Sequence, residues 1–432
     1  MNAPSTDPVV GRADRSETQA PVSFFEKVVY VWAILELASG PLEPWRLSRV
    51  GFFDGYINAE RYLMIGAAAY LVGSNRAAVL RMARRVSPMI SLVALYFLSA
   101  VWSIGPGWSL EQATNAAGIT LMSIVFVARL SPARQLRLLA VALSIGTWLS
   151  ILVALFVPSI GQVSETRLAG WNGVYAHPNF LGANVILGLI CLLPIIRPLI
   201  ESRSAWLIPA LVTFPIGVAL IVRSQANTAL YALVAVVAAE AALWVFRPWL
   251  HVVHTSVLGA LAAAAMSAII VGGFWSVSKV PRWSTLSGRT VLWSNLRPFL
   301  RQQWWNGYGY AQFFQGAKGY NVALAAWIVD EYNHAHNAFL QVMLDVGIVG
   351  FVLLAAAFLL AGRTAFRLTL VGSPRAFPAR ALWVFVFVTN LTEAYMISTT
   401  SIMWMVLVVL LSWGALVSAK PGQGRRRLAA TG

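Results

Sequence analysis

The chain reads as an all-α, polytopic integral membrane bundle of about twelve spanning helices, with one long external loop that contains short helices. Two observations carry this fold class. Of its 432 residues, 58% are hydrophobic and only 11% are charged, against about 25% charged in soluble proteins. Apolar runs also recur from end to end, each close to the roughly 20 residues a helix needs to cross a bilayer.

Taken in order, the apolar runs place spans at about 24–42, 56–74, 88–104, 110–128, 138–157, 180–196, 205–222, 228–246, 255–274, 338–362, 381–397 and 400–418. Glu36 interrupts the first, and Pro41 and Pro44 follow it. Residues 1–23 form a polar tail without the apolar core of a cleavable signal, and are expected to be disordered in the cytoplasm. Residues 24–418 form the membrane domain, and 419–432 a basic cytoplasmic tail. Cys191 is the sole cysteine, so no intramolecular disulfide can form.

The net charge of +16 raises nucleic-acid binding, but its placement argues against such a partner. Arg76, Arg81, Arg84 and Arg85 share one short loop, and Arg129, Arg134 and Arg137 share another. Arg363, Arg367, Arg375 and Arg380 fall in a third. The alternate loops carry almost none, as the positive-inside rule expects of outward segments. Both termini are therefore expected inside, in the cytoplasmic (inner) membrane.

Two outward loops follow, at about 158–179 and 275–337, and the second is too long to be a mere connection. It is rich in aromatics, including Trp293, Trp304, Trp305, Tyr308 and Tyr310. Such residues suit an interfacial belt and equally a platform for sugar rings. The loop closes on His334-Ala335-His336-Asn337, so that with His177 three of the five histidines lie at outer mouths of spans. If a helix began at His336, Gly347 would lie about 20° round from it and Asp345 about 180° away. Gly347 and Gly350 would then offer a small-residue stripe for a close helix neighbour.

A helix over 288–302, opened by Ser287, would gather Leu292, Trp293, Leu296, Phe299 and Leu300 on one face, with Arg289 at its centre. A buried guanidinium needs an anionic partner. A phosphate meets that need, and so would Asp330 or Glu331. Among acids within or at the ends of spans (Glu36, Glu111, Glu240, Asp345 and Glu393), Glu393 near an outer helix end is the best spare candidate for an acceptor base. No Asp-x-Asp pair occurs. His334 and His336 lack a nearby Cys or third His, so no metal and no cofactor are expected.

The run His336-Asn337, nine residues, Gly347, two residues, Gly350 resembles the signature of the bacterial O-antigen ligase and O-antigen polymerase family. Gly173-Val174-Tyr175-Ala176-His177-Pro178-Asn179-Phe180-Leu181-Gly182 looks like a second family segment. Trp102-Ser103 with Pro106 and Ser109-Leu110 looks like its early Trp-Ser element. Ser287-Gly288-Arg289 with Trp293, then Gly307, Gly309 and Phe313, resembles the opening of its large external loop. The resemblance spans about residues 90–360.

The resemblance implies a metal-independent glycosyltransferase whose donor is an undecaprenyl-pyrophosphate-linked glycan and whose acceptor is a glycan or a lipid. It places His336 and Arg289 in catalytic roles. Arg223, Arg167, His177, Asn179, His334 and Asn337 are the implied substrate contacts. A chain-length regulator and a flippase are further implied partners. The His177-Pro178-Asn179 form is similar to exopolysaccharide polymerases, leaving O-antigen ligase as the alternative and a transporter or flippase as the rival class.

Overall fold

The structure is a computed structural model that describes residues 22–39, 54–73, 75–163, 170–246, 289–315, 334–397 and 401–414. The expected ninth span at 255–274, Arg167, Asp330, Glu331 and both tails lie outside them. The described chain is mainly helical, and its only strands are one two-residue pair. In order run α1 (Phe24–Leu37), α2 (Asp54–Gly73), α3 (Arg76–Arg85), α4 (Ser87–Ser99), α5 (Pro106–Arg129), α6 (Pro132–Phe156), β1 (Gln162–Val163) and β2 (Gly170–Trp171). Then follow α7 (Pro178–Glu201), α8 (Leu207–Ser224), α9 (Asn227–Phe246), α10 (Arg289–Gln302), α11 (Ala338–Leu370), α12 (Ala376–Thr392) and α13 (Ile402–Ser412).

Among the described residues, six helices are long and apolar enough to cross a membrane, or seven if the pair bent by 111° at 62–85 counts as one. The full count of about twelve lies partly outside the described residues, which omit the ninth expected span and the chain just beyond α1 and α13. Within them, helices α1, α4, α12 and α13 have 14, 13, 17 and 11 residues, short of the roughly 20 that span the hydrocarbon. In α13 every residue is buried, because it packs against α5, α11 and α12. A helix apolar all round is thus satisfied by protein.

Interior polar groups tie the helices together where lipid offers them no partner. The Trp404 indole donates to Thr120 Oγ1 (3.0 Å), Trp413 to Gln135 Oε1 (2.7 Å), and Asn184 Nδ2 to the Ala38 carbonyl (2.7 Å). Glu240, an acid flagged by its membrane position, accepts from Arg380 Nε (2.8 Å) and Nη2 (2.6 Å), joining α9 to α12. A charge pair in that setting is structural.

Helix α11 is broken. Val346 (φ −139°) and Gly347 (φ +69°) leave the helical region, and the loop after α10 takes over the freed backbone groups. Tyr308 N donates to the Leu344 carbonyl (2.7 Å), Gly309 N to that of Asp345 (2.9 Å), and Ile348 N to that of Trp304 (2.9 Å). Gly347 fits because the Trp305 carbonyl lies where a Cβ would project. The expected helix-helix stripe is therefore corrected: Gly347 receives a loop backbone, and a Cβ at Gly350 would meet Val342 and Val346 of its own helix.

The Trp-Ser element grips the same loop from the other side. Trp102 Nε1 donates to the Asn306 carbonyl (3.0 Å), Trp108 Nε1 to that of Ala311 (3.1 Å), and Ser109 Oγ to that of Tyr310 (3.0 Å). Tyr310 stacks on Tyr96 with ring centroids 3.7 Å apart. Two sequence elements some 200 residues apart thus clamp one turn, which sets α10 and the start of α11 in place.

Candidate active site

The site gathers where α7, α9 and α11 begin and α12 ends, and Glu393 is its centre. This residue caps the C-terminus of α12 in extended backbone (φ −142°, ψ 158°), and its side chain is 2% exposed. An ionised carboxylate so buried needs several donors. Arg289 at the start of α10 forms an ion pair with Oε1 through Nη2. Asn179 Nδ2 donates to the same oxygen at 3.1 Å, and Thr228 Oγ1 lies 3.5 Å from it. His336 Nδ1 is 2.9 Å from Oε2. Arg289 Nη1 also donates to Thr228 Oγ1 at 3.2 Å.

Helix α10 forms as its sequence predicts. Leu292, Leu296, Phe299 and Leu300 are buried while Arg301 is exposed, and these apolar residues pack with Tyr308, Phe313, Leu340 and Leu344. That stripe turns Arg289 inward. Among the described residues its anionic partner is Glu393, so burial by itself does not demand a phosphate; Asp330 and Glu331 lie outside them. Five N–H donors belong to a guanidinium, and two of its nitrogens are engaged by Glu393 and Thr228.

His336 does not open α11, contrary to the helical projection. Asn337 is the N-cap, its Oδ1 accepting from Phe339 N (2.9 Å) and Leu340 N (3.0 Å), and its Nδ2 donating to the Leu391 carbonyl (2.9 Å). His336 precedes the cap in the left-handed region (φ +47°), where a side chain is strained and persists only if neighbours hold it. They do. Trp293 Nε1 donates to the Ala335 carbonyl (2.8 Å), Ala335 N to Gln341 Oε1 (2.9 Å), and His336 N to His334 Nδ1 (3.1 Å). Gln341 Nε2 donates in turn to the buried Asp345 (3.1 Å).

Burial works to raise the Glu393 carboxyl, but the His336 hydrogen bond and the Arg289 charge outweigh it and hold it below the usual carboxylate range. The acid is thus ionised and accepts only, so His336 Nδ1 donates to it. Burial, reinforced by His336, pushes the His334 imidazole down to about 3. Burial likewise lowers His177, whose Nδ1 caps α7 by accepting from Asn179 N at 3.1 Å. Both rings are neutral and serve as acceptors for backbone.

Of the sequence-derived site residues, the structure therefore brings together Arg289, His336, His334, Asn337 and Asn179, with His177 close enough to feel the charges of Glu393 and Arg289. Arg223 stands apart on the Trp171 ring, 5.4 Å from its centroid. Glu393 as hub and Thr228 as brace are the residues that sequence reasoning undervalued; an acid at an outer helix end was the only signal.

Residues 187–355 match the O-antigen ligase family. This bears out the resemblance over that stretch of the chain. The matched stretch includes Arg223, Arg289, His334, His336 and Asn337, and leaves His177, Asn179 and Glu393 outside. No curated protein matches the chain.

A metal could be held by His334, His336 and Glu393, whose ligand atoms all lie within 4.8 Å of one another. Arg289 on Glu393 works against it, since its positive charge occupies one carboxylate oxygen and repels a dication.

Proposed function

We propose that the protein joins glycan repeat units carried on undecaprenyl pyrophosphate, at the outer face of the cytoplasmic membrane. His336 Nε2 takes the proton of an acceptor hydroxyl as that oxygen bonds to the donor's anomeric carbon. The bond from that carbon to the pyrophosphate breaks, and undecaprenyl pyrophosphate leaves with the electron pair. Glu393 orients His336 and stabilises its charged form. The N–H groups of Arg289 not used by Glu393 and Thr228 offset charge on the leaving pyrophosphate.

One observation carries this reading: a buried carboxylate holds a guanidinium from the start of α10 and an imidazole from the turn before α11 side by side at the end of the bundle. A transporter would be expected to place such groups near the bilayer midplane. The arginine-rich end of α11, with Arg363 and Arg367, lies at the opposite end of that helix from His336, which supports an outward-facing site. The His177-Pro178-Asn179 form favours polymerase, while the matched family favours a second reading in which the acceptor is a lipid.

The test is purified protein supplied with lipid-linked repeat units. A ladder of lengthened glycans from donor alone supports the polymerase. A single product that needs an added lipid acceptor supports the ligase. No transfer in either case overturns both readings. Arg289→Lys keeps charge but loses the planar fork, and is expected to cut transfer by about 10²-fold.

A further inference from the structure

Beside the Glu393 cluster, the β1–β2 pair and the end of α8 enclose an open groove of about 420 Å³, lined chiefly by Gln162, Gly170, Trp171, Arg223 and Gln225. Its volume falls among small-ligand sites, about 300–1,000 Å³. Its described lining offers an indole, a guanidinium and two primary amides, with no carboxylate.

Three features show a built surface. Gly170 lies so close to the end of α8 that a Cβ there would sit 2.7 Å from the Ser224 carbonyl, which locks strand to helix. Arg223 lies over the Trp171 ring at 5.4 Å, a cation-π contact that steadies the indole. Gln162 Nε2 donates to the Ala154 carbonyl at 2.8 Å, which leaves its Oε1 free to accept. Both walls also run directly into the site. Trp171 leads within eight residues to Asn179, and Gln225, left-handed at φ 52°, leads within three to Thr228; both touch Glu393.

We infer that this groove is the saccharide subsite, where a sugar ring of the lipid-linked substrate packs against the part of Trp171 that lines it and its hydroxyls pair with Gln162 and Gln225. This rests on the glycan-transfer reading above and adds the surface that reads the sugar. A pyranose presents an apolar C–H face and a rim of hydroxyls. An indole with flanking amides complements both, the face by apolar contact and the rim by hydrogen bonds to groups that donate and accept. The family resemblance implies that Arg223 is a substrate contact, and its place over Trp171 sets it at the wall of this groove.

The experiment uses the full chain in nanodiscs with two probes. One is the repeat-unit oligosaccharide released from its lipid by mild acid, read by saturation-transfer NMR, which needs no turnover. The other is undecaprenyl pyrophosphate, which has no sugar, read as a competitor of that oligosaccharide's lipid-linked form. Trp171→Ala is expected to weaken oligosaccharide binding about tenfold, Gln225→Ala about threefold, and Trp171→Phe to restore most of the loss. Undecaprenyl pyrophosphate should bind all variants alike. Unchanged oligosaccharide binding in both alanine variants overturns the inference. So does a parallel loss of undecaprenyl pyrophosphate, which would make the groove a phosphate site. If Trp171→Ala fails to fold, Gln225→Ala and Trp171→Phe decide. Trp171-dependent binding without any transfer by the wild type would sink the enzyme reading and leave the subsite standing.

Discussion

Replacing Glu393 by Gln keeps shape and removes one charge, and the structure says what that should do. The carboxylate now accepts from Arg289, Asn179 and His336. A Gln amide can present its carbonyl to Arg289 and Asn179, but its NH2 then faces His336 Nδ1. That nitrogen must become the acceptor, so the ring proton moves to Nε2 and the base is lost. Turnover is expected to fall by about 10²–10⁴. Arg289 loses its counter-charge at 13% side-chain exposure. Breaking a buried pair costs about 3–5 kcal/mol, lessened here by that exposure and by the bond to Thr228. Donor affinity should hold or rise, because pyrophosphate no longer competes with a carboxylate for the guanidinium. The assay pairs glycan-ladder formation by purified protein with competition by undecaprenyl pyrophosphate and a thermal melt. Turnover within threefold of wild type would refute the Glu393–His336 pairing as the source of the base.

Other outcomes follow from the same geometry. His336→Ala should lower turnover by about 10²-fold or more with donor binding retained, and His334→Ala should cost less; the reverse ranking would move the base to His334. Gly347→Ala places a Cβ against the Trp305 backbone at φ +69°. It should lower the melting temperature and raise protease cleavage near 303–309, and a wild-type melt would show that the α11 break does not hold the loop. In a Cys191→Ala background, a cysteine at the exposed Gln302 should react with an impermeant thiol reagent in intact spheroplasts. Labelling only after permeabilisation would reverse the topology.

The fold class was legible in the sequence because lipid exposure is a composition effect: long apolar runs with few charges have one solvent. Helix α10 was legible because its apolar stripe repeats with helical period. Several residues of the Glu393 cluster were also singled out by sequence: His336, Asn337, His177 and Asn179 at expected span mouths, and Arg289 on the apolar face of α10. Spacing failed where the backbone departs from a regular helix. The projection from His336 assumed one continuous helix, but Asn337 caps it and Val346–Gly347 breaks it, so angles computed across that stretch had no meaning. Pairings between distant segments were likewise beyond the sequence. Arg289 reaches Glu393 across 104 positions and His336 reaches it across 57. Local sequence thus determined which residues were polar, apolar or chemically able. Which carboxylate pairs with the buried arginine, and which imidazole nitrogen faces that acid, was decided only by the packing of α7, α9, α10, α11 and α12 around Glu393, because a desolvated charge takes the donors that the fold brings within hydrogen-bonding distance.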